Sequence, residues 1–266
     1  MASDNAAVVK LVRVRRGEAV SYGVLEGDSV QLMEGNPFGD RKLTGESVAL
    51  KDVELLRPCE PTKVLCVGLN YASHLQGREA PTHPEIFYKP LSALQDPDGP
   101  IEIPLDSKDL HFEAEVVIVI GRKARHVSKE DAEDYILGYT CGNDVSERNW
   151  QKGSMGDPAD RQWWRAKGSD TFGPLGPCIA TGLQYRNSRI QCILNGEVVQ
   201  SQTLSDLIFD APTMVSFASR YVTLLPGDVI FTGTPGKTKA MKPGDVVEVE
   251  IEGIGTLRNH VIVTPE

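Results

Sequence analysis

His111-Phe-Glu-Ala-Glu-Val-Val-Ile-Val-Ile-Gly121 sets two carboxylates, Glu113 and Glu115, at the mouth of a strand that is otherwise apolar on both faces. Side chains alternate along a strand, so Glu113 and Glu115 point the same way, as do Val117 and Val119 after them. Two anions about 7 Å apart on a face that soon becomes buried repel each other and resist desolvation, unless a cation lies between them or they reach solvent. A hard divalent metal ion is the natural partner. The alternative is a strand end at the surface with both glutamates in water.

Around that strand the chain reads as an ordinary globular protein, with 40% hydrophobic and 24% charged residues in 266, enough to bury a substantial core. A net charge of -9 without a Lys/Arg block excludes nucleic acid or an anionic membrane as the main partner. A small anionic substrate fits only if a metal or local basic groups reverse the field at the site. No apolar run is long enough to span a bilayer, and Met-Ala-Ser-Asp-Asn at the N-terminus lacks a signal pattern, so a cytoplasmic protein is expected. Five scattered cysteines with no Cys-x-x-Cys pair suggest buried thiols instead of a disulfide framework or a zinc site.

Residues 8 to 35 read as strands and turns, followed by a Gly/Pro/Asp-rich loop at 35 to 46. The two prolines of Arg57-Pro-Cys-Glu-Pro-Thr-Lys63 place a boundary near residue 60, dividing a small N-terminal β domain (1–60) from a catalytic domain (61–266). Val64-Leu-Cys-Val-Gly-Leu suits a buried strand that delivers Asn70, Tyr71 and His74 beyond its end, and a long Pro-rich passage covers 81 to 104. Ser128 is expected to start a helix that Gly138 stops, and a second helix is expected after Asp210, with Pro212 in its first turn. Asn195-Gly196 predicts a hairpin, and Pro-Gly-Asp-Val at 226 and 243 launches a strand each time.

A third acid, Asp144, stands in Gly142-Asn-Asp-Val-Ser146. Together with Gly68-Leu-Asn-Tyr-Ala-Ser-His74, Phe87-Tyr-Lys-Pro90, Phe112-Glu-Ala-Glu115, Lys167-Gly-Ser-Asp-Thr-Phe-Gly-Pro-Leu-Gly-Pro177, Asn195-Gly-Glu and Leu225-Pro-Gly-Asp-Val-Ile-Phe-Thr-Gly-Thr-Pro235, this segment resembles the fumarylacetoacetate hydrolase superfamily. The motifs keep the family's order over residues 64 to 263. The similarity extends to its acylpyruvase, oxaloacetate decarboxylase and 2-hydroxyhepta-2,4-diene-1,7-dioate isomerase branch.

The resemblance implies a mainly β fold with some α, a mixed β-roll or sandwich behind the small N-terminal domain, usually as a homodimer. It implies one Mg²⁺ or Mn²⁺ per subunit held by Glu113, Glu115 and Asp144. Three carboxylates favour a hard, oxygen-loving ion and leave coordination positions for water and substrate. Family substrates are mostly small 2-oxo acids, which can chelate such an ion through carboxylate and keto oxygens while an enolate forms. By matching position, Lys167 stands beside the enolate oxygen, Gln151 bonds substrate or water, Thr234 binds the substrate carboxylate, and Tyr88 contacts substrate. His74 matches the general base on a lid. His111 is a candidate behind the ligands, and Lys89 and Arg148 are candidate ion-pair partners.

Two departures bear on the reaction. Relatives that decarboxylate or hydrolyse carry a glutamate three residues after the lid histidine, where this chain has Gly77; its nearest acid is Glu79. After Thr-Gly-Thr-Pro235 the chain reads Gly-Lys-Thr-Lys-Ala-Met-Lys, where relatives commonly carry Gly-Val-Gly. The leading expectation is C-C bond cleavage of a small 2-oxo acid, of acylpyruvate or oxaloacetate type, with Glu79 replacing the missing glutamate. An isomerase or tautomerase is the runner-up, and a catalytically silent metabolite-binding protein is the third reading.

Overall fold

The computed structural model describes residues 7–75 and 77–265, so the N-terminal Met1-to-Asn5 stretch read for a signal pattern lies outside the described residues. The strand Ala114–Ile120 is buried along its whole length and sits inside a 12-stranded sheet. It is flanked by Ile136–Asn143 on one side and Val229–Phe231 on the other, both antiparallel. Alternation then divides its side chains between two cores. Val116, Ile118 and Ile120 join a cluster shared with a second, five-stranded sheet, through Ile190, Val247, Val249 and Leu257. Val117 and Val119 pack on the opposite face with Leu11, Cys66, Val229 and Phe231. The fold is therefore mainly β in two packed sheets, and it is mixed, because Val229–Phe231 runs parallel to Val64–Gly68.

The N-terminal strands Val9–Arg16, Ala19–Glu26, Ser29–Glu34 and Lys42–Ala49 form an antiparallel meander. The strands on either side of residue 60 share one sheet, since Leu11 pairs with Ile179 of Gly173–Thr181. Asn195 and Gly196 take positive φ, 53° and 82°, as a tight hairpin turn requires, between Arg189–Leu194 and Glu197–Thr203. The helix Ala211–Tyr221 begins where expected, with the Asp210 side chain accepting from the Thr213 amide. Both Pro-Gly-Asp-Val segments lead into strands, Val229–Phe231 and Val246–Ile251. All five cysteines are free and buried, and no helix among the described residues is long and apolar enough to cross a membrane.

Three local expectations fail. The helix expected from Ser128 shrinks to a 3-10 turn, Ala132–Tyr135, and Gly138 lies inside the strand Ile136–Asn143. Pairing on both edges outweighs the acidic helix signal there. The loop at 35 to 46 is shortened by a strand that starts at Lys42 and pairs with Ser29–Glu34. The Pro-rich passage is broken by Glu85–Lys89 and Pro100–Ile103, the latter an edge strand of the smaller sheet, where proline is tolerated.

Candidate active site

Strand pairing brings the acids together. Glu115 is opposite Gly142 and Ala114 opposite Asn143, so Asp144 emerges beside Glu113 just past the strand ends. The Asp144 amide donates to the Glu113 carbonyl (2.9 Å), and the Glu113 amide to Asn143 Oδ1 (2.9 Å). Glu113 itself precedes the strand, which starts at Ala114. One carboxylate oxygen from each of Glu113, Glu115 and Asp144 falls within 4.8 Å of the others, and all three residues are buried.

The three acids have different partners. Glu113 accepts from Arg148 through Oε1 and from Lys167 Nζ through Oε2 (2.7 Å), and these cations overcome burial to hold its carboxyl below the ordinary range. Glu115 accepts only the Gly233 amide among the described residues (2.7 Å). Burial, then the charges of Asp144 and Glu113, push its carboxyl well above the ordinary range. Asp144 Oδ2 takes Lys167 Nζ at 2.6 Å, and Oδ1 pairs with Lys89 Nζ at 2.6 Å. Three buried carboxylates, one of them held by a single amide, fit a divalent cation. Lys89, Lys167 and Arg148 face the same trio, so a dication would leave this floor net positive inside a chain of formal charge -9.

Lys167 also donates to Ser146 Oγ at 2.7 Å. Burial alone would lower its pKa, but Asp144 and Glu113 outweigh burial and raise it, so the ammonium stays charged. Arg148 and Gln151 project from the short helix Arg148–Lys152, which Glu147 caps by accepting from the Trp150 amide. Arg148 donates to Gln151 Oε1 at 2.7 Å.

A cavity of about 460 Å³ opens over the acids, and His74, His111, Gln151, Lys167 and Thr234 line it. His74 sits on the helical turn Ala72–Leu75, and its Nδ1 is 2.7 Å from the Gly236 carbonyl. A carbonyl only accepts, so Nδ1 carries the proton and Nε2 keeps a free lone pair. Gln200 donates to Thr234 Oγ1 (3.0 Å) and to the Pro235 carbonyl (2.6 Å), which leaves the Thr234 hydroxyl proton available to an incoming carboxylate. His111 is engaged at both ring nitrogens, Nε2 with Asp109 (2.9 Å) and Nδ1 with Thr238 Oγ1 (2.8 Å), and it stands outside the acid trio.

Two expected site residues are elsewhere. Tyr88 is 52% exposed and lies outside the cavity lining, because alternation along Glu85–Lys89 turns it the other way from Glu85, which does line the cavity. Glu79 is exposed and also outside the lining, while Arg78 beside it lines the cavity. Arg78, Trp163, Gln200 and Thr238 went unnoticed in the sequence. Only Thr238 had a signal there, as part of the unusual Gly-Lys-Thr-Lys segment.

The family model described as fumarylacetoacetate (FAA) hydrolase C-terminal matches residues 63–262, and one described as Rv2993c-like, N-terminal matches residues 9–58. The chain is 42% identical to the solved structure of 5-carboxymethyl-2-hydroxymuconate delta-isomerase from Mycobacterium smegmatis, at a TM-score of 0.89 with 96% of this chain and 100% of that one covered. It is 38% identical over 224 residues to the mitochondrial oxaloacetate tautomerase fahd2 of Xenopus laevis, covering 79% of this chain and 69% of that protein. The structure of maleylpyruvate hydrolase from Sphingobium sp. SYK-6, in complex with manganese(II) and pyruvate, is 26% identical at a TM-score of 0.78, covering 96% of this chain and all of that one.

Proposed function

Because the chain belongs to the fumarylacetoacetate hydrolase family, we propose that it is a divalent-metal-dependent tautomerase or isomerase of a small 2-oxo acid, active as a homodimer. The observation that carries this reading is the lone base. His74 presents a free Nε2 to the cavity, and among the described residues no carboxylate hydrogen-bonds to it. Moving a proton between carbon and oxygen needs one such base, whereas water activation by a dyad needs a carboxylate partner. The acid expected in that role, Glu79, is exposed and outside the cavity. Two of the relatives near 40% identity are named as isomerase and tautomerase, which supports the same choice.

Glu113, Glu115 and Asp144 would hold the ion, Mg²⁺ or Mn²⁺, which supplies Lewis-acid stabilisation of negative charge on the keto oxygen. The Lys167 ammonium adds a second positive charge at the same place, fixed by Ser146 and two of the acids so that it needs no reorganisation as charge develops. Thr234 donates its hydroxyl to the substrate carboxylate. His74 Nε2 takes the proton from carbon and passes it to the keto oxygen, giving the enol, and carries it back in the reverse direction.

The test follows enol absorbance and pyruvate release together, with oxaloacetate and acetylpyruvate in the presence of Mg²⁺, Mn²⁺ or EDTA. Metal-dependent enol loss without pyruvate is the expected result. Metal-dependent pyruvate release would select C-C cleavage instead, and binding without turnover would select a silent metabolite-binding protein.

A further inference from the structure

The Gly236-Lys237-Thr238 segment is pinned on both sides of the lysine. On one side the Gly236 amide donates to Ser73 Oγ (3.0 Å) and the Gly236 carbonyl accepts from His74 (2.7 Å). On the other, Thr238 Oγ1 accepts from Arg148 (3.2 Å) and contacts His111 Nδ1 (2.8 Å). Lys237, exposed and held between the base and the arginine, lines the cavity. Arg78 and Lys152 line it too, and the Arg78 stem is fixed by its Nε donating to the Leu75 carbonyl (3.1 Å). Among the described residues no ion pair joins any of these three to a carboxylate; Glu85 is the one further acid in the lining. An acidic protein thus keeps uncompensated cations at the mouth of this cavity.

We propose that Lys237 is a specificity-determining residue that recognises a second carboxylate, on the end of the substrate remote from its 2-oxo acid group. This rests on the reading that the 2-oxo acid end occupies the floor beside Thr234. Thr234 and Lys237 are three residues apart, at most about 10 Å between Cα atoms, so one short dicarboxylic acid can reach both. A rim charge in water contributes little to total affinity, but it separates charged from neutral tails, because a neutral tail gains nothing from it.

The experiment compares oxaloacetate, whose tail is a carboxylate, with acetylpyruvate, whose tail is a neutral acyl group. KM is measured for both, and binding of both to the Mg²⁺-loaded protein by calorimetry, in wild type, Lys237→Ala, Lys237→Glu and Lys237→Arg. The ratio of oxaloacetate to acetylpyruvate KM is expected to rise about threefold in the alanine variant and about tenfold in the glutamate variant. It should return toward wild type in the arginine variant, and the effect should shrink with added salt. The calorimetric ratio should follow the same order. Equal binding of both acids by wild type, or a shift of both by the same factor in Lys237→Glu, would overturn the proposal. If wild type tautomerises neither acid, the proposed reaction fails, and the binding ratio still decides the role of Lys237.

Discussion

Glu113 and Glu115 are two residues apart, share a cavity, and yet differ in what compensates them. Arg148 and Lys167 neutralise the first, whereas one amide serves the second. This asymmetry makes Lys167 separable from ion binding. Lys167→Met should bind the divalent ion at least as well as wild type, since a competing cation is removed. Its turnover should fall about 30- to 1000-fold, corresponding to roughly two to four kcal/mol of lost transition-state stabilisation. Metal titration beside single-turnover kinetics checks both halves, and an unchanged chemical step would return Lys167 to a structural role. At His74 burial, opposed by Glu113 and the Gly236 bond, lowers the pKa from the ordinary imidazole value. The neutral ring is the base and dominates above its pKa, so a lowered pKa extends activity toward acid. The acid limb of kcat/KM against pH is expected below the ordinary imidazole range. A limb above that range would assign the base to another group.

Among the elements, the strand Ile136–Asn143 takes the place where the helix expected from Ser128 would have ended. Ser128 does bond Asp131, as at a helix start, but the helical turn ends at Tyr135. Gly138, which resembles a helix stop, is instead a point of close approach between strands, because a Cβ there would strike the Ala180 carbonyl. Neighbouring backbone cannot yield as a flexible side chain does, so Gly138→Ala should destabilise the fold by about 1–3 kcal/mol. Chemical denaturation with an unchanged slope would measure it; a loss below a few tenths would mean that the sheet spreads at no cost. The Asn195-Gly196 turn and the Ala211–Tyr221 helix were legible because their signals are local, a pair of positive-φ residues and an N-cap.

For the whole molecule, the packed sheets force three carboxylates into one buried place, which makes ion binding part of the folding balance. A divalent ion that binds only the folded chain should stabilise it by about 2.7 kcal/mol at 100 times its Kd. Thermal unfolding in Mg²⁺ or Mn²⁺ against EDTA should therefore show an ion-dependent rise in Tm, and Glu115→Ala should abolish the rise. An equal rise in that variant would locate the stabilising ion away from the three acids.

The sequence by itself determined the mainly β architecture, the family resemblance and the three acids, because these are written in alternation, turn chemistry and motifs that operate over a few residues. Tertiary structure alone decided which oxygens converge, which tautomer His74 adopts, and that Tyr88 and Glu79 stand outside the cavity. It also recruited Gln200 from the second sheet to orient Thr234, across 34 positions of sequence. The physical reason is that charge, hydrogen bonding and desolvation act through space, so the surroundings of a side chain are set by strand pairing and packing between residues distant in the chain.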